Sequence, residues 1–233
     1  LRAPLRGIRH LAEWILEEVG PEASEDAKRY HGLLTARLAR LDALLDSLLK
    51  FNRIGRTRYG SHCVDPARMV ADIAELLDRE GAYAVRYEGD RLCLLTHGPP
   101  LELVLRNLVS NAIKHHDRPA GTVVVRGAFE GDGRVRFTVT DDGPGVAADL
   151  QERVFRMFTT LQPRDEIEGS GMGLALIRKT ARLYGSKIEL ESPVADGRGA
   201  RFSFTWPISL GAPESAPGGV PDLRGAAIEV QRG

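Results

Sequence analysis

Thr140-Asp141-Asp142-Gly143-Pro144-Gly145-Val146 places a carboxylate at the end of a predicted β-strand and follows it at once with a turn. The six residues before it, 134–139, alternate apolar and polar side chains as a half-buried strand does. The two glycines of the turn permit positive φ angles and the close approach of a ligand, and the proline between them stiffens it. Asp141 can therefore accept a hydrogen bond from an amine on a ligand. An ordinary strand-ending turn has the same pattern, so this stretch alone leaves both interpretations open.

Length and charge limit the classes of protein to be considered. A chain of 233 residues predicts one or two domains with a substantial core. Its 32 basic and 32 acidic residues cancel, so we expect no nucleic-acid partner and no membrane contact by this chain. No apolar run approaches the roughly 20 residues that span a bilayer. The sequence opens within a helical pattern at Leu1, so we expect a fragment whose parent could carry a membrane anchor upstream.

The two cysteines indicate a cellular compartment. Cys63 and Cys93 are far apart in sequence and fit no CxxC spacing. This spacing argues against a disulfide scaffold or a zinc site, and it favours a reducing compartment. We therefore expect a cytoplasmic location.

Residues 1–54 predict a helical hairpin. The first helix covers 1–18, and the second runs from an N-cap at Ser24 to about Asn52. Two copies of the hairpin would pair as a four-helix bundle, which predicts a homodimer through residues 1–54. The alternative is a hairpin that lies against the next domain of its own chain. The two apolar stripes consist of Leu1, Leu5, Ile8, Ala12 and Ile15 on the first helix and Tyr30, Leu34, Leu38, Leu41, Leu45 and Leu48 on the second.

The remainder predicts an α+β chain in which the hairpin precedes an α/β sandwich. A glycine-broken linker covers 55–62, and residues 63–208 form the α/β domain. Residues 209–233 are rich in Pro, Gly and Ala and predict a disordered tail or a further linker. Within the domain we expect helices at 66–77, 101–115 and 173–184 and strands at 83–87, 92–96, 122–128, 134–140, 187–191 and 201–206.

The helix at 101–115 carries a second candidate group. Asn107, Asn111 and Lys114 recur at a spacing that places them on one helix face. Two amides and an ammonium suit a hydrated Mg²⁺ that bridges phosphates, since Mg²⁺ keeps most of its waters and needs few protein oxygens. A solvated polar face is the alternative. His115 follows as a helix-end residue that would edge the same site.

A third candidate is the glycine-rich stretch Gly169-Ser170-Gly171-Met172-Gly173-Leu174. Alternate glycines let backbone N–H groups converge on a phosphate, and the helix that follows contributes partial positive charge. The stretch is not a dinucleotide fingerprint and lacks the GK[ST] ending of a P-loop. Taken alone it is weak evidence for a nucleotide site.

The order and spacing of these stretches resemble the catalytic ATP-binding domain of bacterial sensor histidine kinases, within the wider gyrase-like ATPase superfamily. Residues 107–114 resemble the N box, 141–146 the G1 box, 154–158 the F box and 169–174 the G2 box. The resemblance covers about residues 1–207. It implies an α/β sandwich with a mixed sheet covered on one face by helices, and ATP and Mg²⁺ as ligands.

The resemblance also assigns roles to residues. Asp141 would receive adenine N6, Asn111 would hold Mg²⁺, and Asn107 and Lys114 would serve the phosphate end as the catalytic pair. A lid would cover roughly 159–168. The ATP-binding set implied by the resemblance is Asn107, Asn111, Lys114, His115, Asp141, Gly143, Gly145, Val146, Gly169, Ser170, Gly171, Met172, Gly173 and Leu174.

The hairpin resembles the dimerisation and phosphotransfer domain of the same kinases. Leu1-Arg2-Ala3-Pro4-Leu5 matches the end of their H box. In that register the phosphoaccepting histidine stands two residues before Leu1, outside this sequence. His10 and His31 lack the acidic-Leu-Arg setting and are expected to be surface residues of the hairpin.

One position separates two chemistries within the superfamily. Its hydrolases place a water-activating Glu four residues before the magnesium-binding Asn, where this chain has Asn107. An amide is a poor general base, which favours phosphoryl transfer over hydrolysis. The resemblance thus implies a histidine kinase that phosphorylates its own histidine and then an Asp of a response regulator. The alternative is a dimeric signalling scaffold that binds nucleotide without transferring phosphate.

Overall fold

A computed structural model describes residues 2–20, 23–57, 59–78, 80–89, 93–159 and 171–208. The predicted tail and most of the predicted lid lie outside these ranges. Among the helices in them, none is both long and apolar enough to cross a membrane.

The N-terminal part is a helical hairpin of α1 (Arg2–Val19) and α2 (Glu25–Arg53). The predicted N-cap is confirmed, because Ser24 Oγ accepts a hydrogen bond from the Ala27 amide at 3.2 Å. Within the hairpin the side chains of Leu5, Ala12 and Leu38 are buried. Five residues of the two predicted stripes remain exposed, together with the apolar side chains of Leu11, Trp14 and Leu33; the five are Ile8, Ile15, Tyr30, Leu34 and Leu41.

The second part is built on a mixed five-stranded sheet with strand order β2-β4-β5-β7-β6. β2 and β4 are parallel, and the other neighbours are antiparallel. β1 and β3 form a separate antiparallel pair. The elements are β1 (His62–Val64), α3 (Pro66–Leu77), β2 (Tyr83–Gly89), β3 (Leu94–Thr96), α4 (Gly98–Lys114), β4 (Gly121–Gly131), β5 (Arg134–Asp141), a 3-10 turn (Arg153–Phe155), α5 (Gly173–Leu183), β6 (Glu189–Glu191) and β7 (Arg201–Pro207).

Helices cover one face of this sheet. Alternate residues of the central strands are buried, as the period of two requires. The opposite face is polar, with ion pairs such as Arg126 to Glu88 and Arg201 to Glu191. The predicted sandwich is therefore confirmed. The buried face consists of Val123, Val125, Val135, Phe137, Val139, Phe202, Phe204 and Trp206, and α4 covers it with Leu101, Val104, Leu105, Leu108 and Val109.

α4 begins earlier than the sequence predicts. Its first residue is Gly98 rather than Leu101, so Pro99 and Pro100 occupy the first turn. Proline is tolerated there because the first helical N–H groups have no partner within the helix. The two prolines therefore start the helix instead of separating it from β3.

The prediction of unpaired cysteines was wrong, because Cys63 and Cys93 form a disulfide. Antiparallel pairing of β1 with β3 sets Cys63 opposite Leu95, two residues from Cys93. The Cα atoms of Cys63 and Cys93 lie 5.3 Å apart. A separation of 30 residues in sequence says nothing about the register of two strands. Because the two cysteines are paired, they do not support a reducing compartment.

The hairpin contacts the α/β part at the C-terminal end of α2. Lys179 Nζ on α5 donates to the Phe51 carbonyl at 2.6 Å, and it lies 4.1 Å from the centroid of the Phe51 ring. A Cβ on Gly55 would meet Leu183 at 3.0 Å. α2 is thereby held against α5.

Candidate functional site

The carboxylate that ends β5 is fixed by backbone amides. Asp141 Oδ1 accepts from the Gly143 amide at 3.0 Å and from the Ala200 amide at 3.2 Å. Burial is the largest influence on this group and raises its pKa, and the two amide hydrogen bonds partly offset that rise. Asp141 is thus half-buried and held in one orientation, as recognition of a ligand amine requires.

The neighbouring carboxylate has a structural partner that the sequence did not predict. Asp142 Oδ1 accepts from the Thr122 amide at 2.7 Å and from His116 Nε2 at 3.1 Å. Burial alone would raise the pKa of Asp142, but these hydrogen bonds together lower it. The side chain of His116 is buried and packs edge-on against the Tyr83 ring. Asp142 therefore ties the turn to the loop that follows α4.

A second loop braces the glycine turn from the far side. The Gly199 amide donates to the Gly143 carbonyl at 2.9 Å, and the Val146 amide donates to Ser192 Oγ at 2.8 Å. Gly145 has φ +78°, and a Cβ there would lie 2.7 Å from Ser192 Oγ. The predicted need for glycine at 145 thus has two causes, backbone conformation and contact with this loop.

The predicted polar face of α4 lies against the start of α5. A Cβ on Gly173 would lie 3.2 Å from Asn107 Oδ1 and 3.8 Å from Asn111 Oδ1. Asn107 Nδ2 donates to the Leu103 carbonyl at 2.7 Å, which turns its Oδ1 toward α5. Two amide oxygens therefore stand beside the N-terminal turn of α5, where backbone N–H groups have no helical partner.

Lys114 and His115 end the same helix. Lys114 is the last residue of α4 and is exposed. The His115 amide donates to the Asn111 carbonyl at 3.0 Å, which makes His115 the C-cap. Desolvation of its imidazole, followed by the charge of Lys114, lowers the pKa of His115. Both residues lie at the end of α4 from which the chain leads to the Asp142 loop.

The glycine-rich stretch is described from Gly171 onward, and Gly169 and Ser170 lie outside the described residues. Gly171 has φ +63°, and a Cβ there would lie 2.9 Å from the Thr159 carbonyl oxygen. The Phe158 amide donates to the Gly171 carbonyl at 3.0 Å. Met172 is buried, and the half-buried Leu174 packs against the core. The described residues on the two sides of the predicted lid, Phe158 and Gly171, are therefore hydrogen-bonded neighbours.

The segment predicted as an F box is mainly structural. Val154 and Phe155 are buried, and Phe155 packs edge-on against Phe202 at 6.2 Å between centroids. Phe158 is exposed and has φ +62°. Phe155 thus anchors the chain to the core immediately before the Phe158 hinge.

These elements meet at one end of the sheet, and they suit a nucleotide. The fixed Asp141 carboxylate can accept a hydrogen bond from an amine, and the oxygens of Asn107 and Asn111 are of the kind that Mg²⁺ prefers. The N–H groups at the start of α5 can donate to phosphate. The structure brings Asn107, Asn111 and Gly173 together, fixes Asp141 with the Gly143 and Ala200 amides, and ties the neighbouring Asp142 to the loop after α4. Sequence reasoning missed the bracing roles of His116, Ser192 and Gly199. Of these, Gly199 offered a local signal, because Gly197 and Gly199 between two strands indicate a special backbone.

The fold and this site define an ATP-binding α/β sandwich. The family model for histidine kinase-, DNA gyrase B-, and HSP90-like ATPases matches residues 96–210. The part of the chain from α4 through β7 therefore belongs to that family.

Relatives extend the match across the hairpin and confirm the resemblance to sensor histidine kinases. The sensor histidine kinase AruS of Pseudomonas aeruginosa is 32% identical, and the alignment covers 99% of this chain and 24% of the relative. The sensor protein RstB of Escherichia coli is 27% identical, with coverages of 92% and 48%. The chain spans less than half the length of either relative.

Solved structures of histidine kinases have a similar fold over most of this chain. Full-length ShkA in complex with AMPPNP superposes with a TM-score of 0.67 at 27% identity, covering 91% of this chain and 44% of that one. The histidine kinase ThkA in complex with the response regulator TrrA superposes with a TM-score of 0.60 at 20% identity, covering 89% and 60%. The second likeness concerns the fold alone.

Proposed function

We propose that this chain is the ATP-binding and dimerisation core of a sensor histidine kinase. It binds Mg²⁺·ATP between α4 and the start of α5. The whole protein transfers the γ-phosphoryl group to a histidine and then to an aspartate of a response regulator.

One observation carries this proposal: the Oδ1 atoms of Asn107 and Asn111 both face the first residue of α5, Gly173. Mg²⁺ prefers oxygen ligands and keeps several waters, so Asn111 can hold it with phosphate oxygens completing the shell. The free N–H groups of the α5 N-terminus favour the phosphates themselves. Asp141 then receives the adenine amine at the end of β5.

The side chain at position 107 favours transfer over hydrolysis. Asn107 carries an amide, and its nitrogen already donates to the Leu103 carbonyl. Neither amide atom can take a proton from water at neutral pH, so no general base stands at this position. Asn107 can orient the phosphate end, and the phosphoryl group is kept for another acceptor.

The partners follow from the hairpin and from the relatives. The exposed apolar side chains of α1 and α2 suit a second copy of the hairpin, since a four-helix bundle would bury them. The resemblance to sensor histidine kinases favours the receiver domain of a response regulator as a partner. AMPPNP, the ligand of ShkA, is an ATP analogue and supports ATP as the ligand here. We place the domain in the cytoplasm, because ATP is supplied there.

Calorimetric titration with Mg²⁺·ATP tests the binding site. The wild-type chain should bind, and Asp141→Asn should bind about ten- to a hundredfold more weakly, because a hydrogen bond to a charged group is worth about 1.5–3 kcal/mol. Asp72→Asn, a matched change on the exposed side of α3, should bind as wild type does. Equal affinities of all three proteins would remove Asp141 from the site.

The phosphotransfer test adds the two H-box residues that the proposed register places before Leu1, a His and an acidic residue. Incubated with labelled ATP, the extended chain should gain acid-labile, base-stable phosphate, whereas the chain beginning at Leu1 should not. Binding of ATP without labelling of the extended chain would favour the signalling scaffold. Labelling of the short chain that His10→Gln abolishes would show that the H-box register is wrong.

A further inference from the structure

A cavity of about 320 Å³ lies between α2 of the hairpin and the α/β part. The α2 side contributes Ser47 and Lys50, and the opposite wall contains Asn107 and Gly173. These last two residues belong to the phosphate end of the proposed ATP site. The cavity therefore joins that end to the C-terminal half of α2.

The polar lining of the cavity is cationic. Lys50 and Arg106 line it, and none of the described residues around it carries a carboxylate. Lys50 is exposed, and its side chain makes no ion pair or hydrogen bond within the described part of the chain. Arg106 has only a long contact to Glu102, at 3.8 Å. Two positive charges with little local compensation favour an anion in this space.

Contacts made by the residues that follow Lys50 hold the C-terminal end of α2 against α5. The Phe51 carbonyl accepts from Lys179 at 2.6 Å, directly after Lys50 in sequence. One helical turn on, Gly55 lies against Leu183. Lys50 is thus fixed next to α5, whose first turn lines the same cavity.

The register of the hairpin places Lys50 near the start of α1. Arg9 on α1 lies 3.7 Å from Asp42 on α2, and the two helices run antiparallel. Eight residues further along α2 is Lys50, which is therefore level with the N-terminal end of α1, at about 1.5 Å of rise per residue. The proposed phosphoaccepting histidine lies upstream of that end.

We infer that Lys50 contacts the terminal phosphate of ATP, with Arg106 as a second cation on the opposite wall. This inference rests on the proposed function and adds a residue of the hairpin to the nucleotide site. Lys50 would neutralise the γ-phosphate between the ATP-binding domain and the acceptor end of the hairpin. Nucleotides without a γ-phosphate would not reach it.

The test compares Mg²⁺·ATP with Mg²⁺·ADP by calorimetric titration of three variants. Lys50→Ala should lower ATP affinity about tenfold, the usual order for loss of a charged hydrogen bond, and leave ADP affinity unchanged. Lys50→Arg should retain most of the preference for ATP. Lys28→Ala, at the other end of α2, is the matched control and should change neither affinity.

Unchanged ADP affinity also shows that Lys50→Ala is folded. If the wild type binds both nucleotides and Lys50→Ala leaves the ratio of ATP to ADP affinity unchanged, the role of Lys50 is wrong and the proposed function stands. A parallel fall of both affinities would assign Lys50 a structural role only. If the wild type binds neither nucleotide, the proposed function is wrong and this inference falls with it.

Discussion

His116 and Asp142 form a hydrogen bond beside the proposed adenine site, between a buried imidazole and a half-exposed carboxylate. The Arg118 amide donates to His116 Nδ1 at 3.0 Å, so the hydrogen-bond pattern assigns the ring proton to Nε2, which donates to Asp142 Oδ1 at 3.1 Å. The imidazole side chain is fully buried. The loop after α4 and the turn after β5 are therefore one connected structure.

Removing this imidazole should loosen the turn. We expect His116→Ala to lower the free energy of unfolding by about 1–3 kcal/mol, because Asp142 loses a hydrogen bond and the buried imidazole no longer packs against the Tyr83 ring. ATP affinity should fall only severalfold, since Asp141 itself is retained. Thermal unfolding and calorimetry measure the two effects, with His10→Ala on α1 as the exposed control. Equal melting temperatures of the two variants would contradict the bracing role.

Nucleotide affinity should depend on pH through Asp141. Burial raises the pKa of Asp141, so its carboxylate gains a proton at a higher pH than an ordinary Asp does. As the pH falls through this raised pKa, the ratio of wild-type to Asp141→Asn affinity for ATP should fall toward one. The ratio cancels the titration of ATP itself. A ratio independent of pH down to the ordinary Asp range would show that the ionised form is not required.

The same pKa shift has the opposite effect on stability without nucleotide. A carboxyl group with a raised pKa in the folded state contributes stability below its unfolded pKa and loses it as the pH rises through the folded pKa. Relative to Asp141→Asn, the nucleotide-free wild type should therefore gain stability as the pH falls through that window. Denaturant unfolding of both proteins at several pH values measures the difference.

Gly199 and Gly197 offer a matched pair for the bracing loop. Both have positive φ, +79° and +72°, so alanine is strained at either position. A Cβ at Gly199 would lie 2.5 Å from the Asp141 carbonyl oxygen, whereas none of the described atoms lies within 4 Å at Gly197. Gly197→Ala should cost about 1 kcal/mol and Gly199→Ala at least about twice that. Thermal unfolding measures the loss of stability in both variants. Equal losses would mean that the loop around Gly199 shifts to accommodate the added Cβ.

Gly173→Ala should separate stability from binding. Alanine is a better helix former than glycine, yet its Cβ would lie 3.2 Å from Asn107 Oδ1, and that side chain is tied to the Leu103 carbonyl. We expect little loss of thermal stability and a clear loss of Mg²⁺·ATP affinity. Gly7→Ala on α1, where the space is open, should change only stability. Full affinity in Gly173→Ala would place the phosphates elsewhere.

The site was predictable where its chemistry is local. Asn107 and Asn111 share a face because a helix repeats every 3.6 residues, and the structure turns both toward Gly173. The strand that ends on Asp141 follows from alternation along β5. In each case the pattern that predicts the feature lies within one short stretch of sequence.

Features that depend on distant pairing were not predictable. Ser192 and Gly199 contact the glycine turn after β5 only because β7 pairs with β5. Neither stretch of sequence contains a local pattern that predicts this strand order. The disulfide of Cys63 depends on register in the same way. The contact of Lys179 with Phe51 joins two helices that are far apart in sequence, and neither shows a local signal for it.

The hydrogen bond from Phe158 to Gly171 fixes the two points where the chain departs from the domain and returns to it. Because this hydrogen bond joins the two ends of the segment, we expect the stability of the sheet and α5 to be insensitive to the number of residues between Phe158 and Gly171. For a chain segment between fixed ends, each doubling of length costs only about 0.6 kcal/mol of closure free energy. This position is therefore suited to engineering: a fluorescent or affinity tag inserted directly after Thr159, ahead of the glycine-rich stretch, should leave the sheet and α5 unaltered and would report from beside the proposed nucleotide site.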